Sequence, residues 1–125
     1  MEKFLIREKS KIKGFGIFTK KDINKGEIFY KVPLSLISNK PKPRYAFIGN
    51  NQWVNDSKIL NWINHSCDSN TKLDLSKERP VLTAKRNIKN GEEITCDYNK
   101  TEKGGNKITC NCKSKKCLGY FMRIE

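Results

Sequence analysis

The side chains with the most chemistry in this chain are thiols, and they occur in separate places. Cys110, Cys112 and Cys117 form a C-x-C-x4-C cluster near the C-terminus, while Cys67 lies far upstream inside Asn64-His65-Ser66-Cys67. A structural zinc takes four ligands in a tetrahedron, and the tail offers three thiolates. A fourth from Cys67 staples the tail to the middle of the chain, beside the Asn-His-Ser segment. Free thiols or a redox pair are the alternative, which a cluster this tight disfavours. The fifth cysteine, Cys96, stands apart from both groups, in Glu93-Ile94-Thr95-Cys96-Asp97-Tyr98.

These groups need a scaffold, and the bulk properties limit what it can be. At 125 residues the chain makes one domain with a modest core. With 36% hydrophobic residues, a metal staple would support a thin core. No apolar run reaches the length of a membrane span. The first residues, Met1-Glu2-Lys3-Phe4, lack the apolar stretch of a secretory signal. Five cysteines make an odd count, poorly suited to a secreted disulfide framework, so the expected location is intracellular, in a reducing compartment such as cytoplasm or nucleus. The formal charge is +13, from 26 Lys and Arg against 13 Asp and Glu. Four thiolates on one zinc would lower this by about 2. Such a surface favours acidic partners, nucleic acid and nucleosomes among them. Lysine greatly outnumbers arginine, so biased coding and plain solubility account for the charge equally well.

The pattern along the chain is one of short strands and frequent turns. Phe4–Arg7 and Gly16–Thr19 read as strands about a Gly-x-Gly turn whose glycines take positive φ. Asn24-Lys25-Gly26 and Asn90-Gly91 are turn signals. Glu27–Val32, Thr71–Leu75, Val81–Arg86 and Glu93–Tyr98 read as strands, with Leu34–Ser38 continuing the first after a break and a turn at Ser76–Pro80. Asn39–Arg44 reads as a loop. Asp56–Trp62 reads as one or two helical turns capped by Asp56 or Ser57. Tyr45–Trp53 fits neither strand nor helix decisively. Lys100–Asn106, with Gly104-Gly105, reads as a linker. The class is mainly β, built from several small sheets.

Lys13-Gly14-Phe15-Gly16-Ile17-Phe18, Trp62 to Asn70 (Trp-Ile-Asn-His-Ser-Cys-Asp-Ser-Asn) and Gly91 to Tyr98 (Gly-Glu-Glu-Ile-Thr-Cys-Asp-Tyr) occur in this order, followed by the cysteine tail. Together they resemble the SET-domain protein lysine methyltransferases with a C-terminal post-SET zinc motif. The resemblance spans roughly residues 4–121, dividing the chain into a SET domain at 1–103 and a post-SET tail at 104–125. It implies a pseudoknot-like crossing that brings Asn64–Asn70 against Asp97–Asn99.

The resemblance also implies roles. Gly14, Phe15 and Gly16 would lie against the methionine part of S-adenosylmethionine, with Phe15 near the cofactor or the core. Asn64 and His65 would contribute hydrogen bonds to that cofactor, partly through backbone atoms. Although His65 is the only histidine, it is expected to hold structure and cofactor rather than move a substrate proton. Tyr98 is the expected catalytic residue, its hydroxyl beside the methyl donor at the inner end of a lysine channel. A lysine amine with an ordinary pKa near 10.4 must be neutral to attack. A dry channel and a neighbouring sulfonium favour that form, whereas a carboxylate would oppose it. Asp97 is expected on the other side of the strand. Cys96 stands where the family usually has Phe or Tyr, and its smaller side chain leaves room for more than one methylation. As an inert buried thiol it would have no such role. The zinc ligands are expected to be Cys67, Cys110, Cys112 and Cys117. Leu118, Tyr120 and Phe121 would close over the adenine and the channel, an aromatic wall that suits an amine. S-adenosylhomocysteine is the implied product.

The implied substrate is a protein with an exposed lysine, such as a histone presented on nucleic acid. The other reading is a basic zinc module that binds nucleic acid without catalysis, with Lys113, Lys115 and Lys116 beside the cysteines. Such a module has no need for Gly14-Phe15-Gly16, Asn64-His65 and Tyr98 together. No apolar stripe argues for an oligomer or a membrane contact.

Overall fold

Leu5–Lys9 (β1) and Phe15–Thr19 (β2) pair antiparallel from Leu5–Thr19 to Lys9–Phe15. A computed structural model describes residues 3–49, 51–75 and 79–97, with the backbone of two further strands, Asn106–Thr109 and Tyr120–Arg123. β2 also pairs antiparallel with Glu93–Cys96 (β10), setting Ile94 opposite Ile17. Both isoleucines are fully buried, and they fix which face of each strand turns inward. Truncating either to alanine removes contacts worth roughly 2–5 kcal/mol.

On the other edge of β10 lies the two-residue strand Asn64–His65 (β7), parallel to it, with Asn64 beside Thr95 and His65 beside Cys96. The sheet order is therefore β1-β2-β10-β7. A parallel pair between segments distant in sequence needs a long crossover, and the residues between 65 and 93 supply it with a second sheet. There Thr71–Asp74 (β8) and Val81–Ala84 (β9) pair antiparallel, and β9 pairs with Ile28–Lys31 (β3) across a bulge. Buried Ile23 and Ile88 form an isolated bridge beside it.

A third sheet, Ile37–Ser38 (β4), Gln52–Val54 (β6) and Ala46–Gly49 (β5), occupies the stretch whose type the pattern left undecided. Phe47 and Trp53 face each other across it with ring centroids 5.1 Å apart. Leu34–Leu36 forms a 3-10 turn before β4, which is the break expected after β3. The remaining pair, Asn106–Thr109 (β11) with Tyr120–Arg123 (β12), runs antiparallel as a separate two-stranded sheet. The linker expected at Lys100–Asn106 lies outside the described residues up to Asn106, which begins β11.

The stretch leading into β7 is held by a buried carboxylate. Asp56 Oδ1 accepts the backbone N–H groups of Lys58 at 3.2 Å and Ile59 at 3.1 Å, and its other oxygen accepts the hydroxyl of buried Tyr30. Asp56 thus closes the turn at 57–59, whereas the helical piece is a 3-10 turn at Leu60–Trp62 whose N-cap is Ile59, without a side-chain cap hydrogen bond, in place of the expected Asp56 or Ser57. Trp62 Nε1 donates to the Ser57 carbonyl at 2.8 Å, closing the turn from the other side. These contacts determine the direction in which the chain enters Asn64. Among the described residues, no helix is long and apolar enough to cross a membrane.

Candidate active site

The core of the site is the seam between β7 and β10. Beyond the parallel pair, the Ser66 backbone N–H donates to the Cys96 carbonyl at 3.0 Å. Buried Asn70 then takes over as a substitute strand. Its Nδ2 donates to the Glu93 carbonyl at 2.7 Å and its Oδ1 accepts the Thr95 N–H at 3.0 Å. One carboxamide so satisfies two backbone groups of β10. The Thr95 hydroxyl accepts the Asn70 N–H at 3.2 Å in return. The expected meeting of Asn64–Asn70 with the strand leading to Tyr98 is seen as far as Asp97.

Asn64 and His65 are adjacent and reach different surroundings. Asn64 Nδ2 lies 3.1 Å from the carbonyls of Lys13 and Phe15 and 2.9 Å from Glu93 Oε2. It therefore joins the β1–β2 loop to β10. That loop is shaped by Ser10, whose N–H donates to the Gly14 carbonyl at 2.8 Å and whose hydroxyl accepts the Ile12 N–H at 2.9 Å. The same hydroxyl lies 2.7 and 2.9 Å from the two carboxylate oxygens of Glu93.

His65 is buried, with its ring fully enclosed. Nδ1 lies 3.7 Å from Asp97 Oδ1, and Nε2 lies 3.2 Å from the Cys67 sulfur. Burial pushes the imidazole below its ordinary pKa, and the Asp97 carboxylate offsets part of that shift. The ring is therefore neutral at pH 7 and bridges a carboxylate to a thiol. The two residues after Cys67 are restrained by the residues that follow β9. Arg86 reaches the Ser69 carbonyl at 3.3 Å and the Asp68 carboxylate at 3.6 Å, and Lys85 Nζ reaches the Ser69 hydroxyl at 3.3 Å.

One expectation is corrected and another narrowed. Only Gly14 of the Gly-x-Gly pair takes positive φ, at 46°. Gly16 lies in β2, paired with Glu8, so a left-handed conformation is not what selects glycine there. A side chain at 16 would instead meet Glu93, at 2.8 Å from its Cδ and closer still to Oε2. Phe15, expected near the cofactor or the core, lies outside the core. It is 46% exposed and meets Trp62 edge-on at 6.2 Å between centroids, with the Arg7 guanidinium 4.5 Å from the Trp62 ring.

Cys96 is half-buried against the core, and burial raises its thiol to about 12 despite the nearby Lys85. It is a protonated, unreactive thiol at neutral pH. Tyr98, Cys110, Cys112, Cys117 and Leu118 lie outside the described residues, and Tyr120 and Phe121 are described only as backbone in β12. Among the described residues no group of three His, Cys, Asp or Glu side chains is placed to hold a metal. Of the four expected ligands, only Cys67 belongs to that set.

A sequence model of the SET domain matches residues 14–99, which runs from the end of the β1–β2 loop through β10. The chain belongs to the SET-domain family. Relatives of this SET domain include a putative histone-lysine N-methyltransferase 1 of Plasmodium falciparum, 34% identical over 90% of this chain. Human histone-lysine N-methyltransferase 2D is 28% identical over 90%. An H3 lysine-36 specific histone-lysine N-methyltransferase of Candida glabrata is 26% identical over 90%. The chain spans 2%, 2% and 19% of those three proteins. The SET domain also superimposes on the methyltransferase domain of human histone-lysine N-methyltransferase SETMAR, with a TM-score of 0.64 at 20% identity, over 90% of this chain and 55% of that one. At that identity the likeness speaks to the fold, which accounts for the small sheets and the parallel β7–β10 pair.

Proposed function

We propose that this SET domain is a protein-lysine N-methyltransferase that uses S-adenosylmethionine, with a histone or similar basic chromatin protein as substrate. The observation that carries the reading is the seam itself. The loop at Lys13–Gly16, a parallel strand at Asn64–His65 and the strand Glu93–Cys96 converge within hydrogen-bonding distance of one another. The named activities of the relatives, each a histone-lysine N-methyltransferase, support it.

The residues present suit the cofactor. Asn64 Nδ2 ties down the Lys13 and Phe15 carbonyls and the Glu93 carboxylate, which fixes the loop whose backbone would lie against the methionine part of S-adenosylmethionine. The cofactor supplies a methyl group activated by a sulfonium. The chain's own residues bind, orient and dehydrate. Gly14, with open space where a Cβ would stand, permits a positive-φ bend that turns its neighbours' carbonyls toward Asn64. Asn64 and His65 would present backbone polar groups to the cofactor, and Tyr98 would orient the lysine amine without adding a counter-charge that favours the ammonium. Cys96, uncharged at neutral pH, adds none either.

The post-SET zinc belongs to the same proposal. Thiolate donors suit a structural zinc, and Cys67, Cys110, Cys112 and Cys117 would hold it, coupling the tail to the seam. Leu118, Tyr120 and Phe121 would then flank cofactor and substrate. Calorimetric titration with S-adenosylmethionine tests the reading. Wild type should bind in the micromolar range, and Tyr98→Phe should keep the affinity within a few-fold while losing transfer. No binding by the zinc-loaded protein would contradict it and favour a nucleic-acid-binding module.

A further inference from the structure

We propose that Glu93 is the positioning residue of the β1–β2 loop, and that Gly16 is glycine to make room for its carboxylate rather than for a ligand. The cofactor arm of this inference rests on the proposed function; the stability arm does not.

The carboxylate ties three segments that are distant in sequence. Its oxygens take the Ser10 hydroxyl at 2.7 and 2.9 Å, from the start of the loop, and Asn64 Nδ2 at 2.9 Å, from β7. Glu93 itself stands in β10 opposite Phe18 of β2. Among the described residues no ion pair engages it, so neutral donors alone define its position. Those donors are also the groups that shape the loop. The Ser10 hydroxyl accepts the Ile12 N–H, and Asn64 reaches the carbonyls of Lys13 and Phe15. Release of the carboxylate frees both of its anchors at once.

Gly16 has no conformational need to be glycine. Its place in β2 is regular, and it is buried under the carboxylate. A methyl group there sits 2.8 Å from Glu93 Cδ, nearer still to Oε2, and 3.1 Å from Asn64 Nδ2. A free glutamate would swing away at little cost. This one is held by two side chains, so it moves only by giving up hydrogen bonds to them, each charge-assisted and stronger than a neutral pair. The two glycines of Gly14-Phe15-Gly16 therefore answer different demands: Gly14 bends the chain, and Gly16 leaves space for a side chain arriving from β10.

A double-mutant cycle decides between the two reasons for Gly16. Gly16→Ala and Glu93→Ala are each expected to weaken S-adenosylmethionine binding about tenfold. They should raise KM for the cofactor while leaving kcat within about threefold, because neither group touches the reacting atoms. Glu93→Gln, which keeps one acceptor oxygen, should recover part of the loss. The double variant should bind no more weakly than Glu93→Ala alone. Costs that multiply would mean that Gly16 serves the ligand directly and would overturn the proposal. The same cycle read by thermal unfolding without ligand needs no enzymatic activity. Gly16→Ala should lower Tm in the wild-type background and not in the Glu93→Ala background; an equal drop in both overturns the proposal even if the protein binds no cofactor. Should Gly16→Ala fail to fold with Glu93 present, folding of the double variant supports the proposal. If neither folds, Ser10→Ala decides: loosening of the loop amides at 11–15 in hydrogen exchange supports it, and unchanged protection overturns it.

Discussion

Asn64 and His65 are neighbours in a two-residue strand, yet they anchor corners built on different principles. The Asn64 corner is closed by the domain's own groups: Ser10, Glu93, two loop carbonyls and, on the same strand, the Asn70 clamp. The His65 corner is a line of ionisable groups, Asp97, imidazole and the Cys67 thiol, with spacings of 3.7 and 3.2 Å. Hydrogen bonds between fixed partners, those to the Glu93 carboxylate charge-assisted, make the first corner self-sufficient. The second contains a thiol that, on the proposed reading, shares a metal with residues far along the chain. The contrast separates what the folded body supplies from what the tail must complete.

The largest effect should come from removing the thiol. Cys67→Ser, or prolonged chelation, is expected to lower methyl transfer by at least about 100-fold, the scale on which ligand losses act in metal sites. In hydrogen exchange the Thr95 and Asn70 amides should stay protected while Ser66 opens. Equal loss of protection at both corners would erase the distinction drawn between them.

Next in size is Asn70→Ala. It strands the Glu93 carbonyl and the Thr95 N–H at a buried seam, and is expected to cost about 2–6 kcal/mol in chemical denaturation, from two buried groups at roughly 1–3 kcal/mol each. A loss below about 1 kcal/mol would mean that water replaces the clamp.

Cys96 gives a smaller, pH-dependent effect. Its thiol, raised to about 12, stays protonated where an unfolded cysteine ionises near 8.5. The unfolded state thus loses its proton first, and stability falls as pH rises from about 9 toward 12. At pH 8, alkylation of Cys96 in the native protein should run roughly three orders of magnitude slower than in denaturant, following its thiolate fraction. Rapid native labelling of Cys96 would contradict the burial. The smallest effect is expected for Arg7→Ala, which removes the cation stacked on Trp62 and Phe15 and should cost about 0.5–1 kcal/mol.

Much of the fold was legible because turns punctuate it. Strands at 15–19, 28–31, 71–74, 81–84 and 93–96 follow from β-rich runs between turn formers. The β5–β6 hairpin was ambiguous because its strands have only 4 and 3 residues, too few to show a period, although Gly49 and Asn51 carry the turn at φ 97° and 54°. The motif residues of the seam were legible as a set, since they resemble a family in order and spacing. Glu93, Ser10 and the Asn70 clamp were not singled out. Ser10 and Glu93 are 83 positions apart, and nothing local to either announces a partner at that distance. Gly16 shows the same limit: its spacing to Gly14 suggested a shared turn, while its reason lies on another strand.

The most direct test of the central claim is transfer of a labelled methyl group from S-adenosylmethionine to a panel of histones, free and assembled on nucleosomes, by zinc-loaded wild type and by Tyr98→Phe. The account predicts label on a lysine of at least one histone with wild type, more on the DNA-bound form at low salt, and none with Tyr98→Phe. Absence of label on every histone with wild type, or equal labelling by the two proteins, would contradict it.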